Sequence, residues 1–258
     1  MKVTVCQIDS SEGTLDQYLA ELARHIKAEG SDFVLLPEMG FSEWLAADKQ
    51  PDANRWAKAV NDHNRHISNL NKLGCKTVVG TRPIIKASGS RRNQAYLWTK
   101  ESNQAVGFHE KYYLPDEDGY WEHSWYDRGP KSFDTARFDD VRVGVQICTE
   151  MWFYEWVRHY AAAKVDILCV PRATPHATND KWLAGGRASA VCAGAYNLSS
   201  NLWYPIGSNA DCGGLSWIID PDGKVLATTN EDNPFATVEI DLRFAQASKL
   251  TYPRYVPE

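Results

Sequence analysis

The feature that most constrains this chain is the alternation of short Val- and Ile-rich runs with longer amphipathic stretches. Residues 2–8 (KVTVCQI) read as a strand, and residues 14–29 place Leu15, Leu19, Leu22 and Ile26 on one face of a helix. FVLLPE at 33–38 is a continuous apolar run, the pattern of a strand buried on both faces. A helix is predicted over 54–73 and a strand over 76–84, and 94–99 with 104–110 form a hairpin pair. VRVGVQIC at 141–148 is a strand followed by the helical stretch WFYEWVRHYAAAK. DILCVPR at 166–172 is another strand, followed by a helix near 179–195. NLSSNLWYPIG, LSWIIDPDGKVLATT and FATVEIDL supply the remaining sheet material, with the PDG turn at 221–223 joining two strands. Strand–helix–strand alternation interrupted by antiparallel hairpins points to a layered α/β protein. At 258 residues, with no internal repeat or low-complexity linker, one domain over 1–258 is the simplest organisation.

Composition removes several functional classes. The net charge is -5 and no basic stripe is available to neutralise phosphates, so nucleic acid is not an expected partner. No polybasic run suggests a membrane surface, and the N-terminus turns polar after seven residues, too soon for a signal-peptide apolar region. A cytoplasmic protein is therefore expected. Its six cysteines are dispersed without a C-x-x-C pair, which in a reducing compartment predicts buried small hydrophobes rather than disulfides. His63 and His66 lack the spacing and the Glu of an H-E-x-x-H motif, so they read as solvated helix residues and no metal site is expected. Ten Trp and twelve Tyr suit either a bulky core or an aromatic-lined pocket.

Three reactive side chains stand at or just beyond the carboxyl ends of predicted strands: Glu38 ends FVLLPE, Lys111 follows GFHE, and Cys148 ends VGVQIC. Open α/β sheets gather functional groups there, because the strands hold them while the following loops shape a pocket. Each alone has a plain structural reading: a core thiol, a capping carboxylate, a surface lysine. Together they supply what cleavage of an amide needs, namely a nucleophile, a base that passes its proton to the leaving amine, and a positive group for the oxyanion. No G-x-S-x-G elbow competes, and Cys–His catalysis through His109 or His176 has no supporting signature.

At these residues the chain resembles the nitrilase superfamily of carbon–nitrogen hydrolases. FVLLPEMGF around Glu38, HEKYYLPDEDGYWE around Lys111 and VRVGVQICTEMWFYEWVR around Cys148 are similar to its three catalytic blocks, in order and at similar spacing. Weaker similarity runs from KVTVCQI to IDPDGKVLA and VEIDL, covering most of the chain. The resemblance implies a four-layer αββα sandwich, assembly into a homodimer or larger homo-oligomer, and neither metal nor organic cofactor. It implies Glu38 as base, Cys148 as nucleophile, and Lys111 with the backbone N–H of Thr149 as oxyanion donors. Glu122 matches a second glutamate that orients the lysine. The implied substrate is a small-molecule amide, N-carbamoyl compound or nitrile. The segments PDEDGYWE and ICTEMWFYEWVR most resemble N-carbamoylputrescine amidases, but those usually have Trp-Asp after the nucleophile where this chain has Thr149-Glu150. Nitrilases favour Trp-Glu-Asn, which Glu150 matches and Thr149 and Met151 do not. Amide or carbamoyl hydrolysis is the leading expectation; a nitrilase, an idle family member that only binds, and a thiol redox protein using Cys148 are the rivals.

In the implied fold the loop RATPHATNDKW lies beside Cys148, making Arg172 and His176 candidates for a substrate's polar end. A cationic substrate would instead use Asp116, Glu117 or Asp118. Trp121, Trp125, Trp152 and Tyr154 are candidate pocket walls, each with a rival reading as core or subunit interface.

Overall fold

Two β-sheets share their central strand. In the computed structural model, which describes residues 1–256, the chain forms β1 (Lys2–Ile8), α1 (Leu15–Glu29), β2 (Phe33–Leu35), α2 (Ala53–Ile67), β3 (Thr77–Ile85), β4 (Arg91–Thr99), β5 (Gln104–Glu110) and the single turn α3 (Glu122–Trp125). It continues through β6 (Ala136–Phe138), β7 (Val141–Val145), α4 (Tyr154–Ala162), β8 (Ile167–Arg172), α5 (Asn179–Ala193) and β9 (Tyr196–Leu202). β10 (Trp217–Ile219), β11 (Val225–Thr228), β12 (Phe235–Glu239) and α6 (Leu242–Ser248) complete it. The strand order is β5-β4-β3-β2-β1-β9-β8-β7-β6, with β12 on β1 and the β10–β11 hairpin on β9.

Side-chain parity builds the layers. Successive strand residues face opposite sides, and here Val3, Val5, Phe33, Leu35, Val79, Ala95 and Leu97 turn one way, onto Val143, Val145, Ile167, Cys169 and Leu198 of the second sheet. Their neighbours Cys6, Ile8, Val34, Leu36, Val78, Tyr96 and Trp98 turn the other way, onto Leu15, Leu22 and Ile26 of α1 and Ile67 of α2. On the far side, Val157 and Tyr160 of α4 and Ala193 of α5 cover Leu168. The result is an αββα sandwich. Both sheets are buried on both faces, which is why their strands read as continuous apolar runs rather than alternating ones. Each large apolar side chain so covered contributes about 1.5–3 kcal/mol. α2 starts at Asp52, whose carboxylate accepts the N–H groups of Asn54 and Arg55, and α1 stops at Gly30, which takes the left-handed φ of 66°.

Strand direction places the site. β1, β2 and β3 are parallel, and two antiparallel steps through β4 make β5 run the same way. β7, β8 and β9 are parallel to one another and to β1. The chain therefore leaves β2, β5, β7 and β8 at one edge of the sandwich.

Several expectations are corrected. β2 stops at Leu35 rather than reaching Glu38, because Pro37 has no N–H for the ladder and Glu38 N–H instead donates to Arg172 O in the other sheet at 3.3 Å. The helix predicted over 54–73 is α2 to Ile67 followed by a separate 3-10 turn at Leu70–Leu73. β7 stops at Val145, so Cys148 opens a 3-10 turn, Cys148–Trp152, rather than ending a strand. His63 is fully buried, not solvated: its Nδ1 meets Ala59 O at 2.8 Å, Phe41 N–H reaches its Nε2, and burial pushes its pKa down to about 4. All six cysteines are unpaired, and five are buried. No described helix is long and apolar enough to cross a membrane.

Candidate active site

Glu38 and Lys111 arrive from the first sheet and Cys148 from the second. The Lys111 ammonium is fully buried and donates to Glu38 Oε1 at 2.7 Å and to Glu122 Oε1 at 2.8 Å. Asn93 Nδ2 donates to the same Glu38 oxygen at 2.7 Å, while the backbone of Asn93 accepts from Lys111 N–H. Glu122, the first residue of α3, also accepts from the Tyr126 hydroxyl one turn later. Glu38 Oε2 is buried without a hydrogen-bond partner. One cation thus stands between two carboxylates, all at 0% exposure.

Burial of this odd number of charges sets its proton chemistry. Burial pushes the Glu38 pKa up to about 8; the attraction of Lys111 opposes the rise and the charge of Glu122 adds to it. Glu122 is raised for the same first reason, against the pull of Lys111. Burial alone would discharge Lys111, but Glu122 and Glu38 together overcome it and hold the ammonium charged. Burial and then Glu38 push the Cys148 thiol above the usual range, with Lys111 pulling the other way. Burial thus favours the protonated thiol over the thiolate.

Cys148 is 3% exposed and sits at φ 51°, a left-handed conformation sparsely populated by residues with a Cβ. Its sulfur faces Ala173 O at 3.8 Å, just past β8. It forms part of the wall of a cavity of about 530 Å³, together with Glu122, Thr149, Trp152, Ala173 and Thr174. Tyr113, Tyr120, Phe153 and Trp182 add aromatic wall, and Asp116, Glu117, Arg128 and Lys181 bring charge to the same lining.

The other residues singled out from the sequence lie elsewhere. Arg172 is fully buried behind the cavity, where its guanidinium donates to Ser199 Oγ, Thr174 Oγ1 and Leu215 O and lies 4.1 Å from the Trp217 ring centroid. Strand residues alternate in direction, and this one shares the face of Leu168, toward α5, with its guanidinium 5.6 Å from the Trp182 ring centroid. His176 is outside the lining and pairs through Nδ1 with Asp211 at 2.6 Å. Trp121 is outside it too, with Lys49 Nζ 4.2 Å from its ring, and Trp125 is buried with its Nε1–H on Asp48 O. Tyr154 donates to Gly185 O, and Asp118 is exposed beyond the lining. His109 contacts Glu150 rather than Cys148. Of the candidate pocket walls only Trp152 lines the cavity, and sequence reading missed Asn93, Tyr126 and the lining aromatics Tyr113, Tyr120, Phe153 and Trp182. Asn93 lies just before the strand predicted over 94–99, and the observed β4 takes it in as a buried polar residue. Among the described residues no cluster of His, Cys, Asp or Glu is arranged to hold a metal ion.

The family model for carbon–nitrogen hydrolases matches residues 2–249. Among curated proteins the chain is 25% identical to a 2-oxoglutaramate amidase of Bacillus subtilis, over 97% of this chain and 95% of that protein. It is 24% identical to an N-carbamoylputrescine amidase of Arabidopsis thaliana, over 63% of this chain and 54% of that one. The chain spans about half the length of the first curated relatives it matches. Among solved structures, a carbon–nitrogen hydrolase from Helicobacter pylori superimposes with a TM-score of 0.88 at 18% identity, covering 99% of this chain and 94% of that one.

Proposed function

The chain belongs to the carbon–nitrogen hydrolase family, and we propose that it hydrolyses a small amide or N-carbamoyl compound through a Cys148 thioester. The observation that supports this reading most directly is the buried Glu38–Lys111–Glu122 ion cluster next to a thiol at the cavity wall. Glu38 takes the thiol proton at Oε2, the oxygen left without a partner. The sulfur attacks the carbonyl carbon, and the oxygen's developing charge is met by the Lys111 ammonium and the backbone N–H of Thr149. Collapse breaks the C–N bond, with the proton on Glu38 passing to the leaving amine. Water then gives a proton back to Glu38 and attacks the thioester, releasing the acid; the proton on Glu38 returns to sulfur. Glu122 and Asn93 act through others, holding Lys111 and Glu38 in place.

The charged lining argues for a substrate with an ionised end. Asp116, Glu117 and Lys181 bring charge to the lining, and Arg128 does so while its guanidinium lies 5.5 Å from the Tyr112 ring centroid. The 2-oxoglutaramate amidase is named for a substrate bearing a carboxylate beside its amide. Nitrile hydrolysis is the second reading, favoured by Glu150 alone. An exposed apolar group at Leu250, Tyr252 and Tyr255 supports self-association, which light scattering checks.

The deciding experiment is ammonia release from neutral amides, carboxylated amides, N-carbamoyl amines and nitriles, with Cys148→Ala and Glu38→Gln as controls. Turnover of one class that vanishes in both variants is expected. Turnover that survives Cys148→Ala removes the thioester mechanism.

A further inference from the structure

In the sequence Glu150 had weight only as a marker of family branch, and it does not line the cavity. In the structure it is a fully buried carboxylate with three partners. Its Oε1 accepts the backbone N–H of Tyr112 at 2.7 Å. Its Oε2 accepts the backbone N–H of Ile147 at 2.8 Å and meets His109 Nε2 at 2.7 Å. Tyr112 directly follows Lys111, His109 precedes it by two residues, and Ile147 directly precedes Cys148. The first two belong to the exit of β5 in one sheet, the third to the exit of β7 in the other.

We infer that Glu150 is a positioning residue for the reaction, a single carboxylate that holds the Lys111 segment and the Cys148 turn in register across the sandwich. The inference rests on the roles proposed above for those two residues. Two details make the strap specific to a carboxylate. Backbone N–H groups only donate, so both oxygens of residue 150 have to accept. A Gln there would set its NH₂ against the N–H of Tyr112 or of Ile147, and one end of the strap would open. The second detail is the turn itself. Glu150 N–H also donates to Ile147 O at 3.1 Å, so one residue closes the turn around Cys148 through both its backbone and its side chain. A residue at φ 51° persists only where its surroundings over-determine it, and Glu150 supplies that constraint.

A displacement of the nucleophile relative to the cation by about 1 Å costs on the order of 100-fold in rate. Glu150→Gln is therefore expected to lower kcat about 100-fold while KM stays within about threefold, since no substrate contact is lost. Iodoacetamide should alkylate Cys148 more slowly in the same variant, because Lys111 is no longer held beside the sulfur. Glu150→Asp, which keeps two acceptors at shorter reach, should recover part of kcat. Thermal unfolding of each variant separates these effects from loss of folded protein. A folded Glu150→Gln protein with kcat within about twofold of the parent overturns the inference. Should that variant not fold, Glu150→Asp carries the test, since its shorter side chain cannot reach the N–H groups of Tyr112 and Ile147 at once. A kcat lowered at unchanged KM then supports the strap, and unchanged kcat overturns it. Survival of activity in Cys148→Ala would instead sink the underlying mechanism, so the two failures are distinct.

Discussion

Glu122→Gln tests the electrostatics of the site most directly. Glu38 and Glu122 both bind the same ammonium, at 2.7 and 2.8 Å, so their facing oxygens are at most about 5.5 Å apart. Two unit charges at that distance and an effective dielectric constant of about 20 repel by roughly 3 kcal/mol, equivalent to about two pKa units. That repulsion helps hold the Glu38 pKa at about 8. As the proposed base, Glu38 has to be ionised to take the thiol proton, so kcat/KM should rise with pH along an acid limb near its value. The limb belongs to the coupled carboxylate pair rather than to either residue alone. Removing the charge of Glu122 leaves Glu38 in a one-to-one pair with Lys111, which favours its ionised form. The limb should then move down by about one pH unit or more. The plateau should fall as well, since Lys111 loses a partner, but its height does not set the midpoint. The assay is initial-rate ammonia release between about pH 5 and 10, with parent and variant fitted for limb position. A limb that stays in place or moves up would refute the argument, because Glu122 would then not be the charge that raises the base.

Other substitutions read out neighbouring parts of the same network. Asn93→Ala removes the neutral donor to Glu38 Oε1 at 2.7 Å, so the ionised form loses support and the acid limb should shift up; an unchanged limb in the pH profile counts against Asn93 as a positioning group. Arg172→Met breaks three hydrogen bonds of a fully buried guanidinium and should cost about 2–4 kcal/mol in denaturant unfolding while leaving KM nearly unchanged. A KM rise without loss of stability would return Arg172 to the substrate's side.

How much of this was legible follows from what parity and periodicity can encode. The strands read from apolar runs are present because both sheets are buried on both faces, as Val3 and Val5 against Cys6 and Ile8 show within β1. The chain exits that carry Glu38, Lys111 and Cys148 were readable for the same reason. The three-residue β6 and the seven-residue α6 are too short to produce a period. Arg172 and His176 were placed near the right loop, but a loop position does not tell which way a strand-end side chain turns. His63 read as solvated because its burial depends on Phe41, twenty-two residues away and outside the helix pattern. Glu150 was visible as an acid within ICTEMWF, yet two of its three partners, His109 and Tyr112, lie about forty residues upstream. Long-range satisfaction of a buried polar group leaves no local signature.

The sharing of β1 between the two sheets has a kinetic consequence. β1 pairs with β2 close by in sequence, but also with β12, and Thr4 bonds Thr237 across 233 residues. Contacts of such separation form late, because the entropy of closing the loop is lost before they can repay it. The groups proposed to react come from both sheets, so neither half holds them alone. In refolding, helical signal and apolar burial should return in earlier phases than turnover. The step expected last is the closure that brings Glu38 of one sheet against Cys148 of the other.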